Sequence, residues 1–342
     1  FAEPQTVTVD AESGVVYAGN WFGEIIRTTN GGQSWETWQT GLNIVRSIAP
    51  QPGSDEIWVG TLGAVGRFQE NGTWIEDFNT YNTGLADYFV DNSIRKTSDG
   101  MLWFASGEGG LSRFDGLKWR NWGAHNAGSE AYPFGGNEPM YGVYQDQNGT
   151  VWMAGNGVAR WEPETNEFTG FWNWQNSPLG LKMTNFAEGP NGTFFAFADP
   201  GIFRFTGDNW EQDFGAQPYS GIFGVEYDSG GNVWIAGWFD LHYWDGNAWT
   251  TVVETSDDVF YDVGGINCFA IDSNDVFWFG CVDGLLRWDG TNFTLFNMDN
   301  TPLPANNIRG IDIREDGLIG FSAADNNPQS GIALLDGDPE NE

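Results

Sequence analysis

Short apolar stretches recur along this chain in groups, separated by Gly, Asn and Asp turns. The clearest copies read NGTVWMAGNGVARW (148–161), GNVWIAGWFDLHYWDGNAW (231–249) and DVFWFGCVDGLLRWDGTNF (275–293). Each group resolves into four strands. In the fourth copy, strand A is MYGVYQD (140–146), the turn is Gln147-Asn148-Gly149, strand B is VWMAG, strand C is VARWE and strand D is EFTGFW. The central aromatic of strand B falls at Tyr17, Trp58, Trp103, Trp152, Phe195, Trp234 and Trp278, with a degenerate eighth mark at Gly320. The spacings are 41, 45, 49, 43, 39, 44 and 42 residues. A period near 43 with four short strands per period predicts an all-β fold, a β-propeller. Eight marks predict eight blades of four antiparallel strands, with seven blades as the alternative.

Asp99-Gly100, Asn148-Gly149, Asn191-Gly192, Gly230-Gly231 and Asp316-Gly317 stand where strand A must reverse into strand B, and such pairs are hairpin turns. Ten residues before the central mark stand Ser93, Gly142, Gly224, Cys268 and Gly310. Small side chains there suit innermost strands that crowd together. The last repeat (307–338) supplies strands A to C but no recognisable strand D. The N-terminal residues are therefore expected beside the final blade, or the natural chain continues past Glu342.

Unbroken repetition makes residues 1–342 a single expected domain, and the start at Phe1 fits a mature or excised piece. The formal charge is −33, from 47 acidic and 14 basic residues. A surface of that sign repels phosphate backbones and anionic headgroups, which argues against nucleic-acid partners. No 18-residue apolar run exists, so no membrane insertion is predicted. Arg27, Arg67, Arg113, Arg160, Arg204 and Arg287 follow their central marks by eight to ten residues. Fixed to the repeat, they are read as ion pairs or cation–π partners rather than as an anion-binding set. His242 is read as taking the place of that arginine in its own blade.

The string SDGMLWFASGEGGLSRFDGLKW (98–119) carries D-G-x-x-W followed by G-L-x-R-x-D-G-x-x-W, and DVFWFGCVDGLLRWDGTNF carries G-L-x-R-x-D-G with Phe293 in the last aromatic place. This resembles the two-component-regulator propeller repeat. The first repeat, with TTNGGQSWETW (28–38), is similar to the photosystem-assembly-factor and Asp-box propellers, with Asn30 where the Asp usually stands. The resemblance implies a propeller found in extracellular sensor domains of bacterial two-component systems and in secreted surface proteins. It transfers no catalytic motif.

Propellers bind ligands in the axial funnel, built from the D-to-A and B-to-C loops. On those loops Trp21, Glu108, His125, Tyr132, Phe134, Trp172, Trp174, Trp238 and Asp240 are the candidate ligand-binding residues, the 120–139 and 172–184 segments forming the main walls. Aromatic faces stack on sugars or peptide side chains and carboxylates accept hydroxyl hydrogens. The alternative use of each ring is to fill the space between blades. Asp257, Asp258 and Asp262 cluster in one loop as a calcium candidate, without an EF-hand pattern. Cys268 and Cys281 flank one hairpin and are candidates for a disulfide. No other cofactor is indicated. The expected function is a non-enzymatic extracellular or cell-surface module that binds a protein or glycan partner. The alternatives are a periplasmic sensor domain and a glycan-active lyase or hydrolase.

Overall fold

The structure is a computed structural model. It describes residues 4–10, 13–51, 54–79, 81–82, 85, 93–107, 110–123, 139–180, 182–189, 192–198, 201–213, 222–253, 258–313, 317–323 and 331–335. The chain forms eight consecutive antiparallel sheets, the blades of a β-propeller. Blade 1 is β1 (Pro4–Val9), β2 (Val16–Asn20), β3 (Glu24–Thr28) and β4 (Glu36–Gln39). Blade 2 is β5 (Val45–Pro50), β6 (Glu56–Thr61), β7 (Val65–Gln69) and β8 (Trp74–Phe78). Blade 3 is β9 (Ser93–Lys96), β10 (Leu102–Ser106), β11 (Gly110–Phe114) and β12 (Trp119–Gly123). Blade 4 is β13 (Met140–Gln145), β14 (Val151–Gly155), β15 (Gly157–Glu162) and β16 (Glu167–Trp172). Blade 5 is β17 (Met183–Glu188), β18 (Phe194–Ala198), β19 (Gly201–Phe205) and β20 (Trp210–Asp213). Blade 6 is β21 (Gly224–Tyr227), β22 (Val233–Ala236), β23 (Leu241–Trp244) and β24 (Trp249–Val253). A one-turn helix, α1 (Asp258–Asp262), leads into blade 7, which is β25 (Ile266–Ile271), β26 (Phe277–Cys281), β27 (Gly284–Trp288) and β28 (Phe293–Phe296). Blade 8 has three strands among the described residues, β29 (Ile308–Ile313), β30 (Ile319–Ala323) and β31 (Gly331–Leu335).

The eight-blade reading therefore holds, and residues 308–335 are a blade rather than an appendage. Residues 4–9 are strand A of blade 1, pairing with β2 from Pro4↔Asn20 to Val9↔Val16, and this strand packs beside blade 8, where Val9 N–H donates to Asp312 at 2.6 Å. By packing, the chain divides into two compact units. One holds blades 1, 6, 7 and 8, and the other holds blades 2 to 5. In the first unit the A strands pack in the order β21, β25, β29, β1, and in the second in the order β5, β9, β13, β17.

The repeat residues explain the sheets. The B strands are buried throughout, so each central aromatic lies in a core: Tyr17, Phe195 and Trp278 are fully buried. The lattice arginines stand directly opposite them on strand C, in the pairs Trp58↔Arg67, Trp103↔Arg113, Trp152↔Arg160 and Trp278↔Arg287. Direct opposition puts both side chains on one face of the sheet. The guanidinium carbons sit 5.7, 5.5, 5.8 and 5.8 Å from those ring centres, a repeated cation–π contact.

Turn carboxylates join the same lattice. Asp146, Asp228 and Asp272 accept backbone N–H groups in the A–B turns and the indole N–H of Trp152, Trp234 and Trp278 at 2.8, 2.8 and 3.4 Å. At Asp228 burial pushes the carboxyl up, but the hydrogen bonds from Trp234 and Asn232 outweigh it and hold the group below the ordinary value. In the C–D turns Asp115, Asp245 and Asp289 each accept two backbone N–H groups, which lower them as well. Part of the acid excess is thus turn chemistry.

Glycine is required at the head of strand C. Gly157 and Gly284 have φ of +145° and +149°, and a Cβ there would lie 2.3 and 2.4 Å from the carbonyl oxygens of Trp172 and Phe296.

In blade 6 the register puts Tyr243 opposite Trp234, stacked at 4.8 Å, and His242 opposite Ile235. His242 therefore does not stand in the arginine position but on the other face: Tyr243 follows Trp234 by the same interval at which Arg67 and Arg287 follow Trp58 and Trp278, and holds that position.

Candidate functional site

The side chains at the tips of the loops separate rings committed to packing from rings left open. Blade 6 reverses from β22 to β23 in a tight turn in which Gly237 N–H donates to Asp240 O at 3.0 Å. Of the two residues at its tip, Trp238 is thereby left exposed, while Phe239 is half-buried against the core. Helix α1 supplies their neighbours. Phe260 is fully buried against Phe279 and Phe293, at 5.1 and 5.9 Å, and that anchor leaves Tyr261 and Asp262 on the exposed side.

The following turn locks these pieces together. Ile266 N–H donates to Trp238 O at 2.9 Å, Trp238 Nε1–H donates to Gly264 O at 3.2 Å, and Asp283 N–H donates to Val263 O at 3.0 Å. Gly265 has φ +94°, and a Cβ there would lie 1.7 Å from Trp238 Nε1. The indole lies flat on backbone that only glycine leaves clear.

The outcome is a continuous aromatic stack of four rings. Phe223 meets Trp238 edge to face at 5.5 Å, Trp238 and Phe239 lie near parallel at 5.9 Å, and Phe239 stacks on Tyr261 at 4.4 Å. Tyr261 is 63% exposed, Phe223 42% and Trp238 38%. Exposed carboxylates of Asp262 and Asp283 lie on the connecting loops. A rigid, solvent-facing stack with acceptors beside it can take an apolar face and hydroxyl or ammonium donors together.

Blade 1 repeats the device. Its B–C turn also carries Trp-Phe, here after Ala18-Gly19-Asn20, with Trp21 43% and Phe22 57% exposed. The turn is held by the buried Asn20, whose Oδ1 accepts the backbone N–H of Phe22 at 3.0 Å and of Glu24 at 2.9 Å.

Of the residues read from sequence, Trp21 and Trp238 are exposed on loops as expected. Trp172 is committed to packing in blades 4 and 5. It lies near parallel to Trp152 at 6.1 Å, meets Phe205 at 5.4 Å and donates from Nε1 to Asp208 O at 3.1 Å. Trp174 is 61% exposed on a turn closed by Asn173 and Asn176. The same Asn-x-x-Asn turn recurs at Asn79–Asn82 and Asn297–Asn300, with matching side-chain and backbone bonds. The 172–184 segment is thus partly a repeated structural turn.

Asp240 is buried at 3% exposure, facing His242 Nε2 at 3.5 Å, while His242 Nδ1 meets Thr251 Oγ1 at 3.0 Å. An Asp-His-Thr arrangement so enclosed is part of the blade and offers no group to a ligand. Glu108, His125, Tyr132, Phe134 and Asp257 lie outside the described residues, as does the side chain of Asp258. Among the described residues no three ligating side chains converge as a metal site.

The expected disulfide is not formed. Cys268 and Cys281 are free thiols, because the regular register of the β25–β26 ladder sets Cys268 opposite Gly280, one residue out of step with Cys281, which pairs with Ile266. Burial pushes the Cys268 thiol up to about 12 and raises Cys281 as well.

Two carboxylates stand out that the sequence reading did not single out. Glu226 on β21 and Asp312 on β29 are half-buried on A strands. Burial, with a contribution from the Asp312 charge, pushes Glu226 up to about 7. Burial also raises Asp312, against the opposing effect of the Val9 N–H that donates to it at 2.6 Å. Their strand position was visible, but their proximity depends on how the blades of this unit pack.

No family model and no curated protein matches this chain. Solved structures are similar to it in fold. The extracellular domain of a candidate hybrid two-component system from B. thetaiotaomicron matches at 16% identity and a TM-score of 0.52, over 98% of this chain and 50% of that one. The chain thus spans half the length of that protein. A catalytically inactive virginiamycin B lyase from Staphylococcus aureus, with quinupristin, matches at 12% identity and a TM-score of 0.57, over 84% of this chain and 97% of that one. The Cps50 (Swd1) β-propeller domain of Myceliophteria thermophila matches at 8% identity and 0.53, over 85% and 97%. At such identities the likeness is one of fold alone.

Proposed function

We propose that this chain is a non-enzymatic, extracellular or cell-surface propeller that binds a ligand or protein partner through the aromatic stack of blade 6 and α1. The observation that carries this reading is the Phe223–Trp238–Phe239–Tyr261 stack, with Phe223, Trp238 and Tyr261 exposed and Phe239 half-buried beneath them, held by backbone bonds from two blades. Rings on loops that a rigid scaffold fixes give contact area at small entropic cost. The acidic surface favours neutral or cationic ligands. The resemblance to sensor-domain repeats agrees with an extracellular setting, and among the described residues no helix is long and apolar enough to cross a membrane.

The test is a binding panel of neutral, cationic and anionic polysaccharides and of basic peptides, run on the wild type and on Tyr261→Ala. Saturable binding that Tyr261→Ala weakens at least about tenfold supports the reading, a loss matching about 1.4 kcal/mol. Release of reducing ends or unsaturated products from any bound glycan contradicts it and favours the lyase or hydrolase alternative. Binding unaffected by the substitution places the contact elsewhere.

A further inference from the structure

The aromatic stack of blade 6 and α1 has one open end. Trp238 lies on the Gly265 backbone, Phe239 is half-buried, and the near-parallel series Trp238, Phe239, Tyr261 runs outward with interplanar angles of 25° and 22°. It ends on Tyr261, the most exposed of the three. A flat group laid on that ring continues the series.

The charge around this end has one sign. Between Arg204 and Arg287 the sequence has no Lys or Arg, but fourteen Asp and Glu residues. The histidine of that stretch, His242, is buried and faces Asp240. Asp262 follows Tyr261 directly and is exposed. Asp283 is exposed as well, and the turn fixes it: its N–H donates to Val263 O at 3.0 Å, and its Oδ2 lies 3.2 Å from where a Cβ on Gly264 would stand. Gly264 O in turn accepts the indole N–H of Trp238. Ring faces and carboxylates thus share one small surface, and the stretch that builds it supplies no cation.

Elsewhere this chain answers ring faces with guanidinium. The guanidinium carbon of Arg113 sits 5.5 and 5.1 Å from the Trp103 and Trp161 centres, and that of Arg120 sits 5.0 and 4.9 Å from Trp122 and Trp161. In blade 6 Tyr243 holds the arginine's place, so that contact is missing from the blade that carries the stack. A guanidinium is planar, weakly hydrated and forked, so it stacks on a ring while donating to carboxylates beside it. An ammonium is a point charge without a stacking face.

We propose that the open face of Tyr261, with Asp262 and Asp283, binds the guanidinium of an arginine side chain on a basic segment of a partner protein. The inference rests on the binding role proposed for the stack and names the chemistry of its ligand. Tyr261 supplies the face, and the two carboxylates accept the N–H groups. The −33 charge of the chain draws basic segments in, and the ring selects among them.

The probe is the acetylated and amidated peptide GSGRGRGSG, beside versions with lysine or citrulline at both arginine positions. Citrulline keeps the shape and loses the charge, whereas lysine keeps the charge and loses the plane. Calorimetric titration of the full chain at constant ionic strength is expected to show the arginine peptide binding at least about fivefold tighter than the lysine peptide, and no saturable binding of the citrulline peptide. Tyr261→Ala should weaken the arginine peptide at least about tenfold and remove the preference, while Tyr261→Phe keeps a ring face and should retain it. Asp262→Asn combined with Asp283→Asn should weaken it at least about fivefold. Should that double variant fail to fold, the three peptides on the wild-type chain and the two Tyr261 variants decide. Equal affinity for the arginine and lysine peptides would overturn the proposal, because the general field then acts alone. So would equal binding of the citrulline peptide, or an arginine preference that survives Tyr261→Ala. A glycan that needs Tyr261, found beside an arginine peptide that does not bind, would keep the stack as a binding site and remove the guanidinium. If nothing that binds depends on Tyr261, both readings fall.

Discussion

Blades 7 and 8 use the same three-strand column and reach different ends. In blade 7 the column runs Ala270, Trp278, Arg287 and then Thr294 on a fourth strand. In blade 8 it runs Asp312, Gly320 and Leu334 among the described residues. Where the tryptophan, its guanidinium cap and the Asp-Gly-aromatic turn are all present, the sheet is four strands wide. Where the ring and the guanidinium are lost, the described residues form three strands, and Asp312 stands in the column on the innermost one. The strand pattern alone makes a blade: blade 6 is four strands wide with Tyr243 in the arginine's place.

The largest expected effect breaks the complete column. Trp278→Ala removes a fully buried ring from the core between these two blades and is expected to cost about 3–5 kcal/mol, read by chemical denaturation. The matched change in blade 8, Gly320→Ala, adds a methyl that meets Leu334, Val7 and Val16 at 3.5–3.7 Å, ordinary contact distances. It should be neutral or stabilise by up to about 1 kcal/mol. Equal losses at the two positions would dissolve the comparison.

The carboxylates give the next effect. Glu226 has its folded value raised from 4.5 to about 7, so the folded state holds the extra proton and stability falls as the pH rises through that interval. Glu226→Gln should remove a penalty on the order of 2 kcal/mol at pH 8 and change little at pH 4, read as melting temperature against pH. Asp312→Asn should lessen the same penalty by removing the charge beside Glu226. The turn aspartates Asp115, Asp228, Asp245 and Asp289 act with the opposite sign: their lowered values give stability at neutral pH that is lost on acidification. A smaller effect belongs to Arg287→Ala, which loses the contact over Trp278 and the 3.7 Å pair with Asp289, about 1 kcal/mol.

The comparison also shows what the chain made legible. The spacing of Trp58, Trp103, Trp152 and Trp278 carried the blade count, because one aromatic per strand B must enter each core. The arginine reading carried over for the same reason, since a residue fixed to the repeat meets the same neighbour each time. Loop tips were harder. Trp172 and Trp174 are separated by one residue, yet one is packed and the other exposed. An Asn-x-x-Asn turn sets that difference, and it becomes visible only when Asn79–Asn82, Asn173–Asn176 and Asn297–Asn300 are aligned. Asp240 looked like a loop carboxylate, but the tight Gly237–Asp240 turn folds it inward while Trp238 faces out. The stack itself joins residues from 223 to 261 through Gly264 and Gly265, a proximity that no local pattern announces. The cysteine pairing failed on a register offset of one residue.

The account's central claim is that the lattice rings hold the blades while the blade 6 stack is left for binding. Tyr261→Ala separates the two roles most directly, because Tyr261 touches Phe239 but no core. The measurement is affinity for whichever panel ligand the wild type binds, taken beside the melting temperature of the same variant. The account predicts stability within about 0.5 kcal/mol of wild type and affinity reduced at least about tenfold. A variant that binds as wild type does, or that loses stability as Trp278→Ala is expected to, would contradict it.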